Sequence, residues 1–106
     1  MQRGEVWWVQ FGPSVGGEAQ KRRPAVVVSN DVANRLLNRI QVVPLTSNVA
    51  KLYPNEAYVM VGGRKAKAMA DQIMTASKLR FLNRVGSISP DEMEDIARAI
   101  RVQLDL

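Results

Sequence analysis

Short apolar runs separated by turn residues fill most of the chain, and a helical repeat appears only near its end. Residues 5–11 alternate loosely and carry Trp7 and Trp8, which predicts a first strand. Gly12, Pro13, Gly16 and Gly17 break it and open a polar loop through Glu18, Gln20, Lys21 and Arg22 to Arg23. Residues 24–29 form an apolar run that reads as a strand buried on both faces, and residues 40–45 read the same way. Between them Asn30 or Asp31 can cap a short helix over 32–37, with Arg35 and Arg39 facing outward. Strands over 57–61 and 64–70 flank Gly62 and Gly63, the spacing of a two-residue hairpin turn. On the second of these strands Ala66, Ala68 and Ala70 share one face, and Lys65, Lys67 and Met69 share the other. Residues 77–82 are expected to make one or two helical turns, and 85–89 a last short strand.

The end of the chain is the clearest local signal. Ser89, Pro90 and Glu92 supply a capping hydroxyl, a proline at the first helical position and a glutamate at the third. Met93, Ile96, Ala97, Ile100 and Leu104 follow at helical spacing and make one apolar stripe. Arg98 and Arg101 lie in the later turns, where they suit the helix dipole. The order predicts a mostly β fold with α, of the α+β class. About five to seven mainly antiparallel strands curl toward a small barrel, and a C-terminal amphipathic helix packs on it.

Composition narrows the function. At 106 residues the chain has the length of one domain, 1–106, with no internal repeat. Fifteen Lys and Arg against ten Asp and Glu give a net charge of +5. Thirteen of the basic and five of the acidic residues lie in 1–85, and two and five lie in 86–106. This places a positive surface on the body of the domain, suited to a polyanion or an acidic partner; a solvated surface without a partner fits the same numbers. Cys is absent, so no disulfide, zinc finger or thiol nucleophile is expected. His is absent too, which removes the usual acid–base group and the commonest metal ligand. No metal, cofactor or membrane association is expected, and without a secretory stretch at its start the chain reads as cytoplasmic.

Candidate chemistry then falls to polar residues at strand ends. The dense acidic group Asp91, Glu92, Glu94 and Asp95 lies at a helix start, where the dipole accounts for it. The glycines match neither phosphate-loop nor dinucleotide spacing. Arg23 stands where the glycine loop enters its strand, Thr46, Ser47 and Asn48 close another, and Asp71 and Gln72 end a third. Gathered on one patch, an arginine fork and a threonine hydroxyl would hold a phosphodiester. Residues of these types also satisfy strand-end backbone groups with no ligand at all.

Several segments in this order resemble the MazF/PemK toxins: Arg3-Gly4-Glu5-Val6-Trp7, Gly17-Glu18, the run from Arg23 and Pro24 to Asn30, Val43-Pro44-Leu45-Thr46-Ser47, and Ile88-Ser89-Pro90 with Met93. The likeness extends over essentially the whole chain. It implies an SH3-like barrel of the CcdB/PemK kind, made as a homodimer. It also implies metal-independent endoribonuclease activity, silenced by an acidic, MazE-like antitoxin that blocks the RNA site. Carried over by motif, the family's catalytic arginine matches Arg23, its threonine Thr46, and its acid before a glutamine Asp71. Some members carry an arginine two residues before that acid, where this chain has Met69.

Around these, Glu18, Gln20, Lys21, Arg22, Ser47, Asn48, Lys65, Lys67 and Gln72 are the expected contacts to single-stranded RNA, and Trp8, Phe11 or Tyr53 can stack bases. Lys65 and Lys67 equally suit a charged edge strand, and at least one of Trp7 and Trp8 suits the core. RNA supplies its own nucleophile: the 2′-OH attacks the neighbouring phosphorus, leaving a cyclic phosphate and a 5′-OH. Arg23 and Thr46 would stabilise the developing charge. The base is Asp71 on chemical grounds or Arg23 on the resemblance. A CcdB-like gyrase-binding toxin and an inactive nucleic-acid binder, suggested by Met69, are the alternative readings.

Overall fold

Buried side chains alternate between the two faces of the central strands and so build two separate apolar clusters. The computed structural model describes residues 1–12, 15–18 and 22–106. In chain order it shows β1 (Glu5–Gln10), β2 (Arg22–Val27), α1 (Asp31–Leu36), β3 (Arg39–Thr46), β4 (Glu56–Val61), β5 (Arg64–Met69), β6 (Met74–Ser77), β7 (Phe81–Ser87) and α2 (Pro90–Leu104). Short 3-10 turns cover Ala70–Gln72 and Lys78–Arg80. The sheet runs β4-β5-β3-β2-β1-β7, with β6 on the first half of β3, and every pair is antiparallel. This is the curled antiparallel sheet with a C-terminal helix that the pattern predicts.

The first cluster holds Val6, Val26, Val28, Val43, Leu45, Ala57, Val59 and Ala68, covered by Ile96 and Ala99 of α2. Burying a side chain such as Ile96 is worth roughly 1.5–3 kcal/mol, so this face is what holds the helix down. The second cluster, on the other face, holds Val9, Ala25, Val27, Ile40, Val42 and Ala76, with Trp7, Phe11, Met74 and Phe81 around it. β3 changes partners along its length: Val42 faces Met74 of β6, whereas Leu45 faces Ala68 of β5. Pro44, which has no N–H to donate, lies at the changeover.

Helix α2 also guards the sheet's outer strand. Its capping box forms as expected, with Ser89 Oγ accepting from Glu92 N at 3.1 Å and Glu92 Oε1 accepting from Ser89 N at 2.9 Å. The second Glu92 oxygen accepts from Met60 N of β4 at 2.6 Å, and Arg98 donates to Pro54 O at 2.8 Å and to Glu56 O at 2.9 Å. These bonds occupy outward-facing backbone groups that would otherwise template pairing with another chain.

Three local expectations need correction. Strand β6 falls where no strand is predicted, because its weak Met-Thr-Ala-Ser pattern is stabilised by pairing with β3 rather than by its own propensity. The helical turns expected over 77–82 shrink to the 3-10 turn, and β7 begins at Phe81, whose ring packs edge-on against Trp7 at 6.0 Å. Strand β2 begins two residues before its apolar run, since Arg22 and Arg23 pair with Gln10 and Val9 of β1.

Glu5 ties the N-terminus to β1 and β7. Its Oε1 accepts from Gln2 N and from Trp7 Nε1, each at 3.0 Å, and its Oε2 lies 3.5 Å from Arg84 Nε. Burial works to raise the Glu5 carboxyl, but the Gln2 and Trp7 hydrogen bonds and the Arg84 charge outweigh it and hold it below its ordinary value of 4.5. A carboxyl depressed on folding stabilises the protein above its unfolded value and loses that contribution as pH falls through the folded value. Glu5→Gln should therefore lower the Tm at pH 7 and narrow its gap from wild type toward pH 3. A gap that stays constant across this range, measured by calorimetry, would show that the Glu5 charge does not matter.

Candidate active site

The pairing of β2 with β3 sets Ala25 opposite Pro44, Val26 opposite Val43 and Val27 opposite Val42. Continuing that register by two residues brings Arg23 opposite Thr46. Both then project from the face of the second cluster, away from α2. Arg23 Nη1 donates to Leu45 O at 3.1 Å, which ties the guanidinium to the residue before Thr46. Its Nε is buried and finds no partner among the described residues. A guanidinium offers five donors in a planar fork, the geometry that matches a phosphate. Thr46 is half-buried, and its Oγ1 accepts from Asn48 N at 3.2 Å, which leaves the hydroxyl hydrogen available to donate. Ser47 and Asn48 are exposed directly beyond it.

Asp71 and Gln72 sit in the 3-10 turn after β5 and border a cleft of about 400 Å³. Phe11, Gly17, Glu18 and Met74 line its other walls. Phe11 and Met74 pack on the second cluster, so the cleft opens on the face that carries Arg23 and Thr46. Gly16 and Gly17 adopt φ of 58° and 87°, which lets the loop carrying Glu18 turn back over the cleft. Gln72 Nε2 reaches Gly17 O at 3.4 Å and lies 3.7 Å from Met69 Sδ, while its buried Oε1 has no partner among the described residues. Asp71 is exposed at the rim.

The remaining expected contacts divide. Arg22 is exposed on β2, but strand alternation turns it to the face opposite Arg23. Lys65 is exposed, with its Nζ 3.8 Å from the centre of the Tyr58 ring. Lys67 is placed differently from the expectation. Strand β5 lies between β4 and β3 and is not an edge, and the Lys67 ammonium is buried against Glu56 Oε1 at 3.1 Å. Glu56 and Tyr58 were missed by the sequence reading, although the two-residue turn at Gly62 and Gly63 already sets Tyr58 opposite Lys67 and Glu56 diagonal to it. Trp7 belongs to the second cluster, whereas Trp8 and Tyr53 are exposed. Pro13, Gln20 and Lys21 lie outside the described residues. Among the described residues no group of three or more acidic side chains is placed to hold a metal ion, and no helix is long and apolar enough to cross a membrane.

Comparison with known proteins adds to this geometry. Residues 2–104 match the family described as PemK-like, MazF-like toxins of type II toxin–antitoxin systems. The chain belongs to this family. Among MazF-like relatives, endoribonuclease MazF9 of Mycobacterium tuberculosis is 41% identical over 115 aligned positions, covering 100% of this chain and 98% of that protein. The endoribonuclease toxin MazF of Escherichia coli is 34% identical over 100 positions, covering 93% of this chain and 89% of that one. MazF of Deinococcus radiodurans has the same fold, with a TM-score of 0.86 at 26% identity over 100% of this chain and 97% of that one. A mycobacterial endoribonuclease in complex with its cognate antitoxin superposes with a TM-score of 0.80 at 25% identity, covering 100% of this chain and 96% of that one.

Proposed function

We propose that residues 1–106 form one domain that is the toxin of a toxin–antitoxin pair, and that it cuts single-stranded RNA at a short sequence without a metal ion. Toxin and endoribonuclease are the functions of its family relatives by name. What supports the mechanism is the Arg23 guanidinium bonded to Leu45 O, the residue before Thr46, on the sheet face that α2 leaves open.

The chemistry needs three contributions: an aligned nucleophile, stabilised charge on phosphorus, and proton transfer. The RNA 2′-OH attacks the adjacent phosphorus, the bond from phosphorus to the 5′ oxygen breaks, and the products are a 2′,3′-cyclic phosphate and a 5′-OH. Arg23 and the Thr46 hydroxyl donate to the non-bridging oxygens as charge grows on them. A guanidinium has donors and no acceptor, so Arg23 suits this donor role better than that of a base. Asp71, exposed at the cleft rim, takes the 2′-OH proton, and the departing 5′ oxygen takes a proton from solvent water. Glu18, Arg22, Ser47, Asn48, Lys65 and Gln72 contact the flanking nucleotides, and Gln20 and Lys21 join them by sequence position. Arg23→Ala and Thr46→Ala should each slow cleavage about 10²–10³-fold with unchanged circular dichroism, and Asp71→Asn should do likewise. Near wild-type cutting by Arg23→Ala would overturn the assignment.

The partners follow from charge and exposed apolar surface. An acidic antitoxin segment covers the surface around Arg22 and Arg23 in place of RNA, a reading supported by a neighbour solved with its cognate antitoxin. A second copy of the chain covers Leu36, 71% exposed on α1, and Leu79, 95% exposed on the 3-10 turn that Lys78 N ties to Asn38 O. The assembly acts in the cytoplasm. Light scattering during a titration tests both partners: the protein alone should have a dimer's mass, and antitoxin should displace RNA blocked by 2′-deoxy substitution. A monomer's mass, or antitoxin and RNA bound together at full affinity, would count against the respective partner.

A further inference from the structure

We propose that Lys67, Glu56 and Tyr58 form a positioning clamp that holds the loop leaving Thr46 and thereby aims the Thr46 hydroxyl; the link to catalysis rests on the nuclease reading above. The three side chains lie on the same sheet face as Thr46, because Thr46 faces Lys67 across β3–β5 and Lys67 faces Tyr58 across β4–β5. Each of them spends its polar group on residues 49–53. Lys67 Nζ donates to Lys51 O at 2.8 Å, Glu56 Oε1 accepts from Tyr53 N at 2.9 Å, and Tyr58 OH donates to Val49 O at 2.8 Å. Lys65, stacked over the Tyr58 ring at 3.8 Å, keeps that ring in place.

Residues 47–55 contain no helix or strand; these bonds hold the middle of the segment at Val49, Lys51 and Tyr53, while Arg98 on Pro54 O and Ala70 N on Asn55 O hold its far end. Only Ser47 and Asn48 separate Thr46 from the first tethered residue, Val49. Asn48 N in turn donates to Thr46 Oγ1 at 3.2 Å. The position of the loop therefore decides which lone pair of the hydroxyl is occupied and where its hydrogen can point.

The pair is also badly explained as a stabilising device. Lys67 and Glu56 are only 7% and 8% exposed, and removing two charges from water offsets most of what their attraction returns. An apolar pair of similar volume would hold β4 to β5 as well. What it could not do is bond Lys51 O and Tyr53 N. The charge that looks like an RNA contact in the sequence is committed to the protein's own backbone.

The test uses Tyr58→Phe, which removes one hydroxyl, Lys67→Arg, and the double change Glu56→Met with Lys67→Met, which leaves no unpaired buried charge. Amide hydrogen exchange is followed in the free protein. Steady-state cleavage is followed on an RNA oligonucleotide spanning the site cut most strongly in a long transcript. The clamp predicts faster exchange at Asn48–Tyr53 amides in Tyr58→Phe and in the double variant. It also predicts a kcat lowered about 10- to 10²-fold with KM and salt dependence unchanged, and recovery of most of the rate in Lys67→Arg. Unchanged exchange would overturn it, as would a loosened loop with an intact kcat. A loss confined to KM, with a salt dependence shallower by about one phosphate contact, would instead make Lys67 an RNA ligand. Exchange needs no catalysis, so it judges the clamp separately from the nuclease reading.

Discussion

Val26 facing Val43 and Val27 facing Val42 fix the register of β2 against β3, and the site depends on that register. A slip of one residue would turn Arg23 toward α2 and put the buried valines on the wrong faces. The two apolar clusters prevent this, because each strand contributes alternately to both. The packing that stabilises the sheet is thus the packing that sets an arginine and a threonine side by side at its end.

Polarity changes along one face of this sheet. Toward β6 and β7 that face is closed by Trp7, Phe81 and the apolar second cluster. Toward β4 and β5 it carries Arg23, Thr46, Lys67 and Tyr58. Helix α2 occupies the opposite face, so the polar end stays accessible without a cavity having to be carved in the core. Two buried polar atoms, Arg23 Nε and Gln72 Oε1, have no partner among the described residues, and Gln72 lines the cleft that Asp71 borders.

Much of this was legible in the residues. The valine runs of β2 and β3, the glycine pair between β4 and β5, and the capping box of α2 each combine local propensity with the right periodicity. Strand β6 was not legible, since four residues with little alternation become a strand only when β3 offers its backbone. Arg23, Thr46 and Asp71 all read as strand-end residues; that Arg23 meets the end of β3 needs the register of β2 on β3, and Asp71 stands apart from them in the turn after β5. Lys67 was misplaced because a lysine on a short strand reads as solvent-facing unless its cross-strand neighbours are considered. The hairpin register contained that information in Glu56 and Tyr58.

The central claim is that the protein supplies charge stabilisation and alignment while the RNA supplies the nucleophile. The most direct measurement is cleavage, in EDTA, of an RNA carrying a single 2′-deoxy residue at the mapped cut site, with product ends analysed by mass spectrometry. The account predicts that the all-ribose RNA is cut to a cyclic phosphate and a 5′-OH, and that the substituted RNA binds but stays intact at that position. Cutting at the deoxy position, or cutting that requires added Mg²⁺ or Mn²⁺, would contradict it.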